Sequence, residues 1–404
     1  MFSLFAAIIW FSADFERVSF LEICGFSRNT FIVLAAYTIV SALVICFSSY
    51  AEVSFLGELK WVAILMGLLV PAHLVLNYWR LGAIERAGLI LLIALLGFQI
   101  FLALQQSIAG MNMYRSLIAG NAFDTPMSPR SSGMLRNPIT FGQLMGLFFW
   151  ISVSGGIVAK LAGKRGYLIL AVVISLGCFI SVIASQSRGA WLALAVSGLI
   201  SIFLVPKPLK KLWISAIVAI SLIGSAWILF DGGVQKRFLS AFDSSQEANS
   251  DRIKLWRANW EILKEYPLGI GYNANDKLMG EKFDELGFEK NYTIGNSHNE
   301  YVEIAVGSGW IGLSLYFVFV GATFLMTLNR LRHLRYDQDS WSTFLLLGSL
   351  MVQAFVAFAV LTDQINTPLR IAICFAWAIG ISASWSVGAT AKRECNEAAS
   401  SETF

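Results

Sequence analysis

The chain has 404 residues, of which 56% are hydrophobic and only 14% charged, with a formal net charge of +4 and a mean hydropathy of +0.65. A soluble domain of this length carries far more charge, so the composition excludes a purely aqueous globular enzyme and indicates an integral membrane protein. Its charges cluster between apolar runs, as they must when an ionised side chain at mid-bilayer costs at least ~2.5 kcal/mol.

Residues 1 to 12 are apolar but shorter than the ~20 residues a span needs. No small-residue cleavage site follows them, so they are a candidate short first helix rather than a signal peptide. Ten further spans are expected, at roughly 29–49, 60–78, 87–107, 139–159, 166–185, 188–205, 212–230, 300–328, 341–361 and 368–388. Alternate connections between them hold Arg80, Arg86, Lys160, Lys164, Arg165, Lys207, Lys210, Lys211, Arg330, Arg332, Arg335, Lys392 and Arg393. The opposite short loops hold only Lys60, Arg115, Arg130, Arg136, Arg188 and Arg370. Basic residues accumulate on the cytoplasmic side, so the first set faces inward and both 108–138 and 231–297 face outward. The expected organisation is an N-terminal transmembrane bundle over 1–230 with outer loop 108–138, a large outer loop 231–297, C-terminal transmembrane helices over 298–390 and a tail over 391–404.

The outer segment 108–138 begins apolar and ends in a stretch broken by Pro126, Pro129, Gly133 and Pro138. Its first half, through Tyr114 and Leu117, suits the membrane surface. The large loop carries nine Lys or Arg against eleven Asp or Glu, so any anion selectivity there comes from placement rather than bulk charge. Within it, Ser250 to Tyr266 reads as a helix: Ile253, Trp256, Trp260 and Leu263 recur at helical spacing, and Pro267, Gly269 and Gly271 end it.

Three outward helix starts share one design. Ser187 precedes Arg188, Ser250 precedes Arg252 by two, and Ser297 precedes His298. Each offers helix-start amides to an anion, and two add a guanidinium able to make paired bonds to phosphate oxygens, so a diphosphate fits. Ser297 and Glu300 have the spacing of a capping box, which places His298 in the first turn of the following helix. Its imidazole suits proton transfer near neutral pH. Gly307, Gly309 and Gly312 in that helix favour close packing. The plainer alternatives are an interfacial anchor for Arg188, an ordinary surface position for Arg252, and a cap for Glu300.

Cys24, Cys46, Cys178, Cys374 and Cys395 lie in spans or inward segments without CxxC spacing, so neither a disulfide framework nor a zinc site is expected. The outer loops offer Asp243, Asp251 and Glu303 but no DxD pair and no His or Cys cluster, so no metal is expected. No Gly-rich phosphate loop follows a strand, and no cofactor or nucleic-acid partner is expected.

At these residues the chain resembles the O-antigen ligase and polymerase superfamily of bacterial cell envelopes. The resemblance rests on Arg188 with Leu192 at the start of a span, and on Arg252 and Trp256 leading into Pro267-Leu268-Gly269-Ile270-Gly271. It rests most specifically on His298-Asn299, nine residues, Gly309, two residues and Gly312, which looks like the ligase signature. In the N-terminal third only Arg136-Asn137-Pro138 adds to it. The resemblance implies an all-α polytopic membrane protein of about 11–12 transmembrane helices with a large, partly helical periplasmic loop. It also implies a metal-independent glycosyltransferase of the bacterial inner membrane, working at the periplasmic face among membrane lipids. Such an enzyme moves a glycan from undecaprenyl diphosphate onto the lipid A core. By that likeness His298 is the base that activates the acceptor hydroxyl, and Arg188 and Arg252 hold the donor diphosphate. Arg115, Arg136, Asn299 and Trp256 are secondary candidates. A polymerase of the same superfamily and a non-enzymatic transporter are the alternatives.

Overall fold

The computed structural model describes residues 28–50, 52, 83–109, 130–135, 137–205, 207–230, 232–240, 247–272, 274–288, 297–334 and 340–362. The expected spans at 60–78 and 368–388, the candidate helix at 1–12, and both Arg115 and Arg136 lie outside them. The described helices are α1 (Arg28–Phe47), α2 (Ala83–Ala109), α3 (Pro138–Leu161), α4 (Arg165–Ala184), α5 (Arg188–Leu204), α6 (Lys207–Phe230), α7 (Gly232–Leu239), α8 (Glu247–Glu265), α9 (Asn275–Glu285), α10 (Glu300–His333) and α11 (Ser340–Ala359). The fold is all-helical, with no strand among the described residues. Six of these helices are long and apolar enough to cross a membrane: α2, α3, α4, α6, α10 and α11. An apolar stretch of α1, Ala36–Phe47, and one of α5, Arg188–Phe203, are shorter. The protein is therefore a multi-pass helical membrane protein, since backbone in lipid must satisfy its own hydrogen bonds.

Two compact units interleave along the chain. One comprises Met1–Trp79, Glu247–Arg330 and Val360–Phe404; the other comprises Arg80–Gln246 and Leu331–Ala359.

The second unit is built on the hairpin α3–α4. Asn137 caps α3 by accepting from the Ile139 amide at 2.8 Å, with Pro138 at the first helical position, where its missing N–H costs nothing. At the other end Gly163, at φ 67°, turns the chain, and the Lys164 amide closes onto the Ala159 carbonyl at 2.8 Å. A left-handed glycine with this back-bond is the usual way a helix satisfies its last carbonyls. Where α3 meets α11, a side chain at Gly146 would overlap the Phe355 ring, so the glycine fixes the approach. The Trp150 and Trp213 rings stack at 5.6 Å, and both indoles are fully buried. Their N–H groups are met by Ser197 and Ser201, one turn apart on α5. A buried indole N–H without an acceptor would be costly in an apolar interior, so these serines are part of the packing.

In the first unit, α8 and α9 form a polar helical pair outside the apolar spans. Lys282 of α9 is only 4% exposed, yet its ammonium reaches out to Glu265 of α8 and to Glu285, the latter at 2.8 Å. Those two carboxylates hold the ammonium above the ordinary lysine range. The stem is buried and the head is paired at the surface. Ile262, Leu263, Ile270, Ala274, Leu278, Ala305 and Val306 form one core that joins this pair to α10.

The helix α10 is broken, not continuous as its uninterrupted apolar run suggests. Gly309 sits at φ 69°, ψ −174° inside it. The break frees two carbonyls and one amide, and the 267–271 segment takes them all. Ile270 N–H bonds to Val306 O and Gly271 N–H to Gly307 O, each at 2.9 Å, while Trp310 N–H bonds to Pro267 O at 3.1 Å. A kink is tolerated when inserted groups replace the lost ladder bonds, and here the replacement is complete for those three groups.

Candidate functional site

In the first unit, His298 lies in sequence between the α8–α9 pair and the start of α10. Its backbone is left-handed, φ 51°, and it is half-buried. Such a conformation is uncommon for a residue with a side chain and persists only where the surroundings impose it. They do so on both flanks. The buried Ser297 hydroxyl donates to the Asn299 carbonyl at 2.8 Å, and the Ser297 amide donates to the Glu303 carboxylate at 2.8 Å. The Trp256 indole N–H donates to the Ser297 carbonyl at 2.9 Å, tying α8 to the residue before the histidine.

The expected capping box is corrected here. Helix α10 begins at Glu300, after His298, and the Asn299 side chain accepts from the Tyr301 and Val302 amides at 3.0 and 3.4 Å. The left-handed turn at His298 folds the Ser297 hydroxyl onto Asn299 backbone, which leaves Asn299 as the capping residue. Glu303, not Glu300, reaches back to the Ser297 amide. Glu300 instead accepts from the Tyr272 hydroxyl at 3.1 Å. His298 therefore stands just ahead of the helix rather than in its first turn.

Behind the histidine lies a buried polar chain that hydropathy and motif spacing missed. Asn275 donates to Glu303 at 2.8 Å and to Asn259 at 3.3 Å, and Asn259 donates to the Leu255 carbonyl at 2.8 Å. Asn259, Asn275 and Glu303 are each at most 2% exposed. Their only sequence signal is a polar residue within an apolar face, which names no partner.

Arg252 is half-buried on α8, one turn before Trp256. Its helix starts at Glu247, so Ser250 lies inside the helix and does not precede Arg252 as a cap. The acceptable helix propensity of this polar stretch lets α8 extend upstream of the serine.

The second unit presents Arg188 as expected. Ser187 caps α5 by accepting from Ala190 N–H at 3.4 Å, and Arg188 occupies the first helical position. Its guanidinium donates to the Ser240 carbonyl at 2.7 Å, beyond the end of α7. Two further arginines, not singled out by sequence, close on the same turn: Arg130 donates to the Ser185 carbonyl at 3.2 Å and Arg237 to the Gln186 carbonyl at 3.4 Å. Gln186 is itself left-handed, φ 48°. Three guanidiniums thus gather about one helix start at the end of this unit opposite Lys160 and Lys164. Only the Arg188 helix start had a readable signature, because Arg130 and Arg237 approach from distant segments.

Among the described residues no three His, Cys, Asp or Glu side chains gather in a way that could hold a metal ion.

Residues 170–317 match the protein-family model described as O-Antigen ligase. The match, to the model named Wzy_C, covers 148 of the 404 residues, so the likeness is one of this segment. The matched segment contains Arg188, Arg252 and His298, and its bounds exclude Arg115 and Arg136. The exopolysaccharide production protein ExoQ of Rhizobium meliloti is 32% identical over 163 residues, 39% of this chain. The matched part spans 36% of ExoQ. Members of the Wzy_C family transfer glycans from lipid-linked donors.

Proposed function

We propose that the protein is an O-antigen ligase, transferring a glycan from undecaprenyl diphosphate to the lipid A core at the periplasmic face of the bacterial inner membrane. The match of residues 170–317 to the O-Antigen ligase family carries this reading, and the imposed left-handed geometry of His298 supports it. His298 accepts the proton of the acceptor hydroxyl as that oxygen attacks the anomeric carbon. The bond from that carbon to the diphosphate breaks, its electron pair leaves with the diphosphate, and the configuration inverts. Arg188 and Arg252 neutralise the charge that grows on the leaving group. Lipid-linked substrates bring the free energy of transfer with them, and the arginines take the part a divalent ion plays in other transferases. Arg115, Arg136, Asn299 and Trp256 remain secondary contributors in this reading, with Asn299 and Trp256 acting through the backbone around His298.

A second reading follows from the likeness to an exopolysaccharide production protein: the acceptor is another carrier-linked glycan, and the protein is a polymerase. Loss of the gene separates the two. Free lipid-linked polymer beside unmodified core is the ligase result, and core bearing a single repeat unit is the polymerase result. Purified protein supplied with lipid-linked donor and core acceptor, in EDTA, is expected to form product. Absence of product alongside measured lipid translocation overturns both readings in favour of a transporter, and product that needs an added metal overturns the metal-independent mechanism.

A further inference from the structure

A cavity of about 320 Å³ opens in the second unit between α3, α4 and α6, away from the three arginines. Its walls are Phe149, Gly156 and Ile157 of α3, Ala171 of α4, and Ala216 and Ile220 of α6. Small side chains leave the hollow: Gly156 and Ala171 line it on the α3–α4 side, where a Cβ added at Gly156 would come to 3.4 Å from that of Ala171, and Ala216 adds little bulk from α6. The flanking Val172, Leu176 and Ile223 are exposed, so the hollow is a groove open to the apolar surroundings of the helices. The Ser175 and Ser215 hydroxyls that face it donate to carbonyls of their own helices, Ala171 and Lys211. The walls therefore favour hydrocarbon, and a volume at the low end of the roughly 300–1,000 Å³ of ligand sites suits one chain rather than a sugar.

At one end the groove reaches Lys160, the only charged lining residue among the described residues. Lys160 is exposed and has no ion-pair partner among the described residues. Leu168, in the first turn of α4, and Leu212, early in α6, also line that end. This places Lys164, Arg165, Lys207, Lys210 and Lys211 on the segments around it. No acidic residue occurs between Asp124 and Asp231, so the positive charge is not neutralised within the chain that builds the groove.

We propose that this groove seats one acyl chain of an anionic glycerophospholipid, whose phosphate rests on Lys160 at the lysine-rich end. The hydrocarbon wall and the unopposed cation match the two parts of that molecule. This site stands apart from the proposed transfer chemistry, and Lys160 and Ala216 take no part in it.

The test is native mass spectrometry of the full-length protein released from nanodiscs of phosphatidylglycerol mixed with phosphatidylcholine. Retention of phosphatidylglycerol over phosphatidylcholine is expected. Lys160→Gln is expected to lower that retention about five-fold, the worth of one lysine at an anionic surface. Ala216→Phe, which fills the groove, is expected to abolish it with an unchanged melting temperature. Equal retention of the two lipids overturns the proposal, as does unchanged phosphatidylglycerol retention in Lys160→Gln. Displacement of phosphatidylglycerol by an equimolar polyprenyl phosphate assigns the groove to that other lipid and also overturns it. Should Ala216→Phe fail to fold, the charge reversal Lys160→Glu decides, with loss of retention supporting the site and full retention rejecting it.

Discussion

His298 holds a backbone conformation that costs an L-residue with a side chain roughly 1–2 kcal/mol, and the Ser297, Glu303 and Trp256 bonds hold its neighbour in place against that cost. Strain of this kind orients an imidazole at a fixed point ahead of a helix, which a flexible loop would not do. His298→Ala is expected to lower transfer ~10²- to 10⁴-fold, the usual worth of a general base, with expression and donor binding retained; near-normal turnover in a purified assay sinks the assignment. Arg188 poses a different question, because its guanidinium already serves structure through the Ser240 carbonyl. Arg188→Lys keeps the charge and a donor but loses the planar fork. If it contacts phosphate in pairs, Arg188→Lys weakens donor binding while Arg188→Ala removes activity. Full activity in both variants reduces Arg188 to an anchor, and a lysine variant that matches the native protein beside a dead alanine variant leaves charge alone as its contribution. His298, Arg188 and Arg252 could be singled out because each stands in a pattern that is local in sequence. Arg130, Arg237 and Asn275 could not, since each meets its partner across 16 or more positions.

The broken helix α10 shows what a glycine pattern can and cannot say. Gly307, Gly309 and Gly312 indicated close packing, and it is there for Gly307 and Gly309, whose partner is the 267–272 segment rather than a second helix, whereas a Cβ at Gly312 would meet Ser308 of its own helix. Hydropathy registers the composition of a span and is blind to one backbone angle within it, so the break went unseen. A Cβ at Gly309 would lie 2.5 Å from both the Leu268 carbonyl carbon and the Pro267 oxygen, and its φ of 69° disfavours any other residue. Gly309→Ala is therefore expected to destabilise by at least about 2 kcal/mol, combining left-handed strain with a backbone clash. Gly321→Ala, on the regular part of the same helix with nothing within 4 Å, is expected to be neutral or slightly stabilising. Thermal unfolding in detergent reads both, and equal melting temperatures for the two variants contradict the insertion. The tryptophan stripe of α8 was likewise legible as a helix but not in its burial. Ala258, Asn259 and Ile262 face the core, while Ile253, Trp256 and Trp260 stay 37–56% exposed. Aromatic faces left exposed on a membrane protein suit the bilayer interface, and the edge-to-face contact of Trp260 with Trp310, 5.6 Å apart, joins this stripe to the start of the apolar part of α10.

At the scale of the molecule the governing quantity is the sidedness of charge. In the second unit alone, Lys160, Lys164, Arg165, Lys207, Lys210 and Lys211 stand at one end of the α3, α4 and α6 helices, and Arg130, Arg188 and Arg237 at the other. Short basic loops are retained in the cytoplasm, and acidic residues contribute little to that choice. The lysine-rich end is thus expected inside and the arginine turn outside. Substituted cysteines test this in a background in which the five native cysteines are replaced by serine. Lys236→Cys, on exposed helix α7 at the arginine end, is expected to react with a membrane-impermeant maleimide in cells whose outer membrane alone is permeabilised. Lys164→Cys, exposed in the α3–α4 turn, is expected to react only after the inner membrane is opened. The reverse pattern would put the arginine turn on the cytoplasmic side and remove the basis for Arg188 binding a donor diphosphate at the periplasmic face. Labelling of both positions in intact inner membranes would instead mean that the α3–α4 hairpin does not cross the bilayer, against a pair of helices of 24 and 20 residues, each long enough to do so.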